Sequence, residues 1–331
     1  MLHILDYPWH QVHLYRLTAL PATFTIATIR DPFWNLHQRP IPENVTDVVE
    51  GHQIDPAHYD LALLHLDQWA DRNPTRAWPY RFMKQRTQGI PQIIIMHGTP
   101  DTPQNRQAVL RLIGDLPVVC NSRQAAREWD GGERREDRYG LPQFRTVIHG
   151  YANEFYNYPL EERRVEAFTV CSGGSMSSWY HGLPVVQRMI RDVGLVWYGR
   201  AHKWYGRVYD GNRPWLPNYD AYRDMLASSL IYFSPTRRAP MPGSRTEAAL
   251  SGCCVVSVPG NDWEDYVDDW ETGVMVNNYT EARDALRYLL ANPEETYRIG
   301  QRGREMARDA FGVDRFVGDW LKVLAEIGVV A

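Results

Sequence analysis

The sequence predicts an α/β protein of two domains, each built on a parallel sheet. Strand-like apolar runs alternate with helix-like periodic segments along nearly the whole chain. Runs such as P-Q-I-I-I-M at 91–96 are continuously apolar, which is typical of parallel strands covered on both faces. The 331 residues, 44% apolar and 23% charged, are enough for two hydrophobic cores of ordinary size.

The first half of the chain predicts six strands and four helices. A long segment, 31–58, is rich in Pro, His and Asn and predicts mostly loop. The predicted strands are 2–6, 24–29, 60–65, 91–96, 116–120 and 144–148. The predicted helices are 11–20, 75–88, 103–113 and one that ends near 130.

The second half repeats the alternation after a variable piece at 154–166. Its predicted strands are 168–172, 195–198, 230–233, 255–258 and 273–276. Its predicted helices are 181–192, 219–228, 244–251, 280–291 and 293–309, followed by an amphipathic segment at 313–327.

Composition and missing motifs exclude several classes of protein. The net charge of −4 and a pI near 6.3 disfavour nucleic acid as a partner. Four cysteines without metal-ligand spacing indicate reduced, buried thiols, and no stretch predicts a signal peptide or a membrane span. The sequence contains no Gly-x-Gly-x-x-Gly after its first strand, no Gly-Lys-Ser/Thr loop and no Gly-x-Ser-x-Gly elbow, so dehydrogenases, nucleoside triphosphatases and common hydrolases are disfavoured.

The stretch at 229–258 carries the strongest functional signal. A strand, S-L-I-Y-F-S, leads into a loop with two prolines and a glycine, and a helix is predicted to start near Ser244, with that residue as its N-cap. The helix carries Glu247 in its first turn and ends at Gly252, before a second apolar strand. A loop of unbonded amides, a helix N-terminus and a carboxylate at the carboxyl edge of a parallel sheet suit a phosphorylated, hydroxyl-rich ligand.

Within this stretch, A-P-M-P-G-S-R-T-E-A-A-L-S-G-C-C-V-V resembles the donor-site signature of family 4 glycosyltransferases. The resemblance implies the GT-B architecture: two Rossmann-like domains whose parallel sheets face across a cleft, with the last helix crossing back to the first domain. H-G-Y-A-N at 149–153 is similar to the interdomain turn of that family. The implied domains are 1–152 on the acceptor side, 153–311 for the nucleotide-sugar donor, and 312–331 as the returning helix.

The resemblance also implies roles for single residues. Glu247 would accept hydrogen bonds from the donor ribose, while Arg245 and the amides of 243–245 would hold the diphosphate. His97, which follows a buried strand, would reach the donor sugar, and Gly98 would leave room for the ligand. Catalytic candidates are therefore His97, Arg245 and Glu247. The donor-binding candidates are Gly173, Gly174, Ser175, His181, Arg200, Lys203, Arg237, Gly243, Ser244, Arg245, Thr246 and Glu247.

The sequence departs from the family pattern at three positions. Ala239 stands where the first glutamate of the signature belongs. Ser175 and His181 stand where an arginine and a lysine grip the diphosphate, and Arg200 and Lys203 are candidates to replace that charge. Arg238 is a further cation in the loop.

Two polar groups outside the donor stretch have weaker signals. Asp6, His10 and His13 have a spacing that suggests a metal at first glance, but an acceptor-binding loop or plain surface is favoured because no further ligand is evident. Asn121, Ser122 and Arg123 are acceptor-side candidates.

The predicted function is retaining transfer of a sugar from a nucleoside diphosphate to an acceptor hydroxyl, without a metal or a resident cofactor. The acceptor class stays open: a glycan, a lipid-linked glycan or a small molecule. Two alternatives remain, a GT-B module that binds nucleotide sugar or glycan without catalysis, and a nucleotide-sugar 2-epimerase. The expected location is the cytoplasm, with peripheral membrane contact left open.

Overall fold

The structure is a computed structural model that describes residues 1–29, 33–170, 182–198, 212–213 and 216–329. The chain divides into two compact units. The first unit contains Met1–Gly150 and Val313–Ala331, and the second contains Tyr151–Gly312.

The first unit is an α/β layer around a seven-stranded sheet. Its strands are β1 (Leu2–Asp6), β2 (Ala22–Thr28), β3 (Val45–Glu50), β4 (Leu61–Leu66), β5 (Gln92–Met96), β6 (Val118–Cys120) and β7 (Phe144–Thr146). Its helices are α1 (Gln11–Leu17), α2 (Pro74–Arg86), α3 (Pro103–Ile113), α4 (Arg123–Asp130) and α10 (Val313–Glu326).

The strand order in this sheet is β3-β2-β1-β4-β5-β6-β7, and each pairing is parallel. The chain runs outward from β1 in one direction, then returns to place β4 on the other side of β1. The carboxyl ends of β1 and β4 therefore meet at the point where the order reverses, the position at which open α/β sheets bind ligands.

Two hydrophobic cores cover the two faces of this sheet. Apolar residues of α10, among them Phe316 and Trp320, pack with Ile4 and Phe24 of the first two strands. On the opposite core, Met83 of α2 and Trp129 of α4 pack with residues of β4, β5 and β6. These strands are continuously apolar in the sequence because the residues on both faces of the sheet are covered by a core.

The second unit repeats this plan with a six-stranded sheet. Its strands are β8 (Arg164–Val170), β9 (Val196–Tyr198), β10 (Asn212–Arg213), β11 (Ser229–Ser234), β12 (Cys254–Ser257) and β13 (Val274–Met275). Its helices are α5 (Leu183–Val193), α6 (Tyr219–Ala227), α7 (Gly243–Leu250), α8 (Tyr279–Ala291) and α9 (Pro293–Phe311). The order is β10-β9-β8-β11-β12-β13, so the reversal lies between β8 and β11.

The predicted fold class, α/β with parallel sheets, is confirmed. The segment 31–58, predicted to be mostly loop, contains one strand that the sequence did not predict: Val45–Glu50 forms β3 and pairs with β2. This strand lies at the edge of the sheet and is largely exposed, so its sequence V-T-D-V-V-E lacks the continuous apolarity of the central strands. The strand predicted at 168–172 is β8, and it begins earlier, at Arg164. The sequence did not predict this start because the first residues of β8 are exposed and therefore not apolar enough to stand out.

Cys120, Cys253 and Cys254 are buried free thiols, as predicted, and burial raises the pKa of Cys253 to about 12. None of the helices in the described ranges is long and apolar enough to cross a bilayer.

Candidate functional site

The donor stretch lies where the strand order of the second unit reverses. β11 is buried along its whole length between β8 and β12, and its carboxyl end leads into the loop before α7. Met241 in this loop has a φ of +39°, a left-handed conformation that costs energy in a residue other than glycine. The loop thus holds a strained backbone immediately before the helix that carries the candidate residues.

Helix α7 begins one residue earlier than predicted. Pro242 is its N-cap and no side chain caps it, so the prediction of Ser244 as the N-cap is wrong. The Ser244 hydroxyl instead lies 2.7 Å from the Tyr232 hydroxyl of β11. A proline at the cap fixes the entry of the chain but provides no acceptor for the first helical amides.

The amides at the start of α7 differ in their partners. The Arg245 amide donates to the Pro242 carbonyl at 3.2 Å, so the expectation that it is unbonded is wrong. The Gly243 and Ser244 amides make no hydrogen bond to any residue in the described ranges. Together with the partial positive charge of the helix N-terminus, these two donors can bind an anion.

Glu247 lies in the first turn of α7 and is 3% exposed. The Tyr222 hydroxyl of α6 donates to its Oε2 at 2.6 Å. The neighbouring Thr246 is also buried. A carboxylate with one oxygen bonded by a tyrosine is held in a fixed orientation, which is what recognition of a pair of ligand hydroxyls requires.

Arg245 is a completely buried cation. Its guanidinium lies over the Trp263 ring, 4.4 Å from the ring centroid, and its nearest polar contacts are Ser257 Oγ at 3.4 Å and Met241 Sδ at 3.7 Å. Within the described ranges, its Nε has no hydrogen-bond partner and no carboxylate lies close enough to form an ion pair with the guanidinium. Burial lowers its pKa from 12.5 to about 9.

A buried guanidinium with such weak contacts is costly for folding, because desolvation of the charge outweighs its electrostatic attraction to Glu264 and Asp262. Bound anions offset that cost. In this structure the side chain is closed to solvent, so contact with a ligand requires the covering side chains to move.

The other donor-binding candidates fall into two groups. Arg237 is exposed and Arg238 half-buried, both in the loop before α7. Six candidates lie outside the described residues: Gly173, Gly174, Ser175, His181, Arg200 and Lys203. Their neighbour Gly182, at a φ of +66°, touches the donor loop so closely that an added Cβ would lie 2.6 Å from the Pro235 carbonyl oxygen.

In the first unit, His97 follows β5 as predicted and belongs to a cluster of polar side chains. His97 Nε2 lies 2.8 Å from His65 Nδ1, and His65 Nε2 lies 2.7 Å from Asp6 Oδ1. Asp6 and His65 are completely buried, whereas His97 is partly exposed. The expectation that Asp6 lies on plain surface is therefore wrong.

Gly98 has a structural role that differs from the expected one. An added Cβ would lie 1.6 Å from Gln68 Oε1, and the Gly98 carbonyl accepts a hydrogen bond from Trp129 at 2.8 Å. The space beside this glycine is filled by Gln68. Ser122 is likewise structural, since its hydroxyl caps α4 by accepting from the Ala125 amide.

Two more histidines complete the cluster. The rings of His13 and His149 meet edge to face with centroids 4.6 Å apart, and His13 also contacts His97 at 5.0 Å. Both are buried, and Nδ1 of each has no hydrogen-bond partner among the residues that the structure describes. Across the described ranges, no three His, Cys, Asp or Glu side chains converge in a manner that could hold a metal ion.

Sequence reasoning missed His65, Tyr222 and Trp263. A weak signal exists for His65, because a histidine inside the buried strand L-A-L-L-H-L must find a hydrogen-bond partner. Tyr222 and Trp263 reach the α7 region from α6 and from the loop after β12, and nothing local in the sequence indicates these contacts.

The histidine cluster predicts that the first unit is destabilised by mild acid. Burial, with neighbouring histidines or Arg16, holds the pKa values of His13, His97 and His149 well below 6.5. Below pH 6.5 the unfolded chain thus binds more protons than the folded one, and stability falls as the pH decreases, by at most about 1.4 kcal/mol per pH unit for each histidine.

Thermal unfolding between pH 7.5 and 5.5 measures this effect. His13→Leu should reduce the pH dependence of the unfolding temperature. His58→Gln, which changes an exposed histidine, should leave that pH dependence unchanged. Equal pH dependence in the wild type and His13→Leu would contradict the assignment.

The C-terminal half matches a known family. Residues 184–322 match a family model described as "Glycosyl transferase-like", which covers α5 to α10 and therefore the donor stretch. No curated protein is detectably similar to the chain in sequence.

Solved structures extend the likeness to the whole chain. HepE from Anabaena in complex with UDP and glucose matches with a TM-score of 0.73 at 12% identity, over 98% of this chain and 100% of HepE. The chain has the GT-B glycosyltransferase fold. Sucrose-phosphate synthase from Thermosynechococcus elongatus matches with a TM-score of 0.67 at 12% identity, over 99% of both chains. A glycosyltransferase from Rickettsia africae matches with 0.65 at 13% identity, also over 99% of both.

The resemblance to GT-B glycosyltransferases is thereby confirmed, and the assignment to family 4 holds only approximately. At these levels of identity, the solved structures establish the fold and not the substrate.

Proposed function

We propose that this protein is a glycosyltransferase that moves a sugar from a nucleoside diphosphate to an acceptor hydroxyl. The observation that carries the proposal is the buried Glu247 in the first turn of α7. It is oriented by Tyr222 and preceded by two amides that have no acceptor among the described residues. A carboxylate can accept hydrogen bonds from ribose hydroxyls, and helix-terminal amides suit a diphosphate.

The donor diphosphate would be met by positive groups of the second unit. The Gly243 and Ser244 amides lie at the N-terminus of α7, and Arg245 is a buried cation that forms no ion pair in the described ranges. Stabilising the negative charge that develops on the leaving diphosphate is the main catalytic task in such a transfer. Arg200, Lys203 and the segment at 171–181 are further candidates for this task.

We propose UDP-glucose as the first donor to test, because HepE has been solved in complex with UDP-glucose. The reaction would retain the anomeric configuration, and the departing phosphate oxygen would take the proton of the acceptor hydroxyl. We also propose transfer without a metal, since the sequence has no Asp-x-Asp at the end of a strand in the first unit.

A panel of UDP- and GDP-sugars tests the proposal in two measurements. Calorimetry reports binding, and release of the nucleoside diphosphate reports turnover, with EDTA in a parallel series. We expect UDP-sugar binding, turnover that persists in EDTA, and an α-linked product from UDP-glucose. Binding without turnover on any acceptor would instead support a non-catalytic module, which the replacement of the first glutamate by Ala239 favours.

A further inference from the structure

We propose that Asp6 and His65 are positioning residues that hold His97 with its proton on Nε2, so that His97 Nδ1 accepts a hydrogen bond from a substrate hydroxyl. The hydroxyl-bearing substrate rests on the function proposed above. The positions of the protons on the three side chains do not depend on that function, and they can be measured separately.

The three side chains form a hydrogen-bonded chain from the core to the surface. Asp6 ends β1, His65 lies near the end of β4 and His97 follows β5, so three neighbouring strands deliver them to the edge where the strand order reverses. The two links measure 2.7 Å and 2.8 Å. Only the last member, His97, is reached by solvent.

The direction of the hydrogen bonds follows from the first member. Asp6 Oδ1 accepts from the Tyr7 backbone amide at 2.6 Å, and the same oxygen lies 2.7 Å from His65 Nε2, where it is again the acceptor. In a neutral imidazole that donates from Nε2 to Asp6, His65 Nδ1 is the acceptor. His97 Nε2 must therefore carry the proton that donates to His65. His97 Nδ1 is left with an unshared electron pair.

Surrounding rings fix the orientation of His97. Trp9 stacks on it with centroids 4.6 Å apart, His10 stacks at 5.5 Å and His13 meets it edge to face at 5.0 Å. Nδ1 makes no hydrogen bond to a residue in the described ranges. A rigid, neutral acceptor at the end of the chain suits a sugar-type hydroxyl, which needs an acceptor for its proton.

The titratable groups that face His97 keep it neutral. His65 of β4, His10 at the N-cap of α1, His13 within α1 and His149 surround it. Burial, together with His65, His10 and His149, lowers the pKa of His97. At neutral pH it is therefore an acceptor and not a source of positive charge.

Nitrogen-15 NMR of the full-length protein labelled at its histidines measures the tautomer directly at pH 7.5. His97→Gln identifies the signal of His97. We expect protonated Nε2 and unprotonated Nδ1 in the wild type, without any ligand. Protonated Nδ1, or a cationic ring, would overturn the proposal, whatever the enzyme does with UDP-glucose.

A double-mutant cycle separates positioning from a merely structural role. With UDP-glucose as donor, His97→Gln should lower kcat/KM by about ten-fold, the typical effect of one lost hydrogen bond. His65→Phe should give His97 a mixed tautomer and lower kcat/KM by up to the same factor. The double variant should be no worse than His97→Gln alone.

His3→Gln is the matched control, since His3 is a hydrogen-bonded histidine at the other end of β1, paired with Thr25 at 2.8 Å. It should change neither the His97 signal nor kcat/KM. If the fold-losses in kcat/KM of the two single variants multiply in the double variant, His65 does not act through His97. If no donor is turned over, the proposed function fails while the spectrum of the wild type still decides the tautomer. The same spectrum decides it if His65→Phe does not fold.

Discussion

Glu247→Gln is expected to lower kcat/KM for UDP-glucose by at least about 100-fold while leaving the fold intact. A carboxylate that accepts from two ribose hydroxyls makes two charge-assisted hydrogen bonds, each contributing about 1.5–3 kcal/mol. The neutral amide keeps the shape of the side chain and can still accept from the Tyr222 hydroxyl, so the loss isolates the charge. Steady-state kinetics and calorimetry with UDP measure it.

Glu281→Gln is the matched control for this change. Glu281 also lies in the first turn of a helix of the second unit, α8, but it is exposed and accepts from Asn277 and Asn278. We expect its kcat/KM to remain within about two-fold of the wild type, as is typical of surface changes. Wild-type UDP binding by Glu247→Gln would show that the donor does not bind at this helix.

Arg245→Met is expected to stabilise the protein and weaken UDP binding at the same time. The buried guanidinium lies over the Trp263 ring, but it has no ion pair in the described ranges and its polar contacts, to Ser257 and Met241, are long. Replacing such a charge by an apolar chain of similar volume is often stabilising, by about 1–4 kcal/mol. Losing the cation should weaken UDP binding about ten- to 100-fold.

Arg163→Met provides the contrast. Arg163 is also buried, but it donates to the carbonyls of Tyr158, Ser229 and Ser251 at 2.7–2.9 Å and to Asn157 at 2.6 Å. Its loss removes the guanidinium donors of these buried carbonyls and should lower the free energy of unfolding by about 3 kcal/mol or more. Thermal unfolding and UDP calorimetry on both variants check these opposite signs. Destabilisation by Arg245→Met with unchanged UDP affinity would assign Arg245 a structural role.

Much of the fold follows from local patterns. Continuous apolar runs predict β4, β5 and β11, because strands covered on both faces need apolar residues on both sides. The exposed edge strand β3 was missed, because its pairing with β2 comes from its place in the sheet and not from its own hydrophobicity. The observed N-cap of α7, Pro242, lies two residues before the predicted one, Ser244, because proline and serine both suit a helix start.

The sequence by itself determined the α/β class, the first-turn position of Glu247 and the strand-end position of His97, since each depends on residues close together in the chain. Only the tertiary structure joined His97 to His65, 32 residues away, and His65 to Asp6, 59 residues away. It also showed that Arg245 is buried over Trp263. The physical reason is that periodicity reports which residues are covered, whereas the partner of a covered side chain depends on which strands become neighbours. That order arises from the packing of the whole sheet.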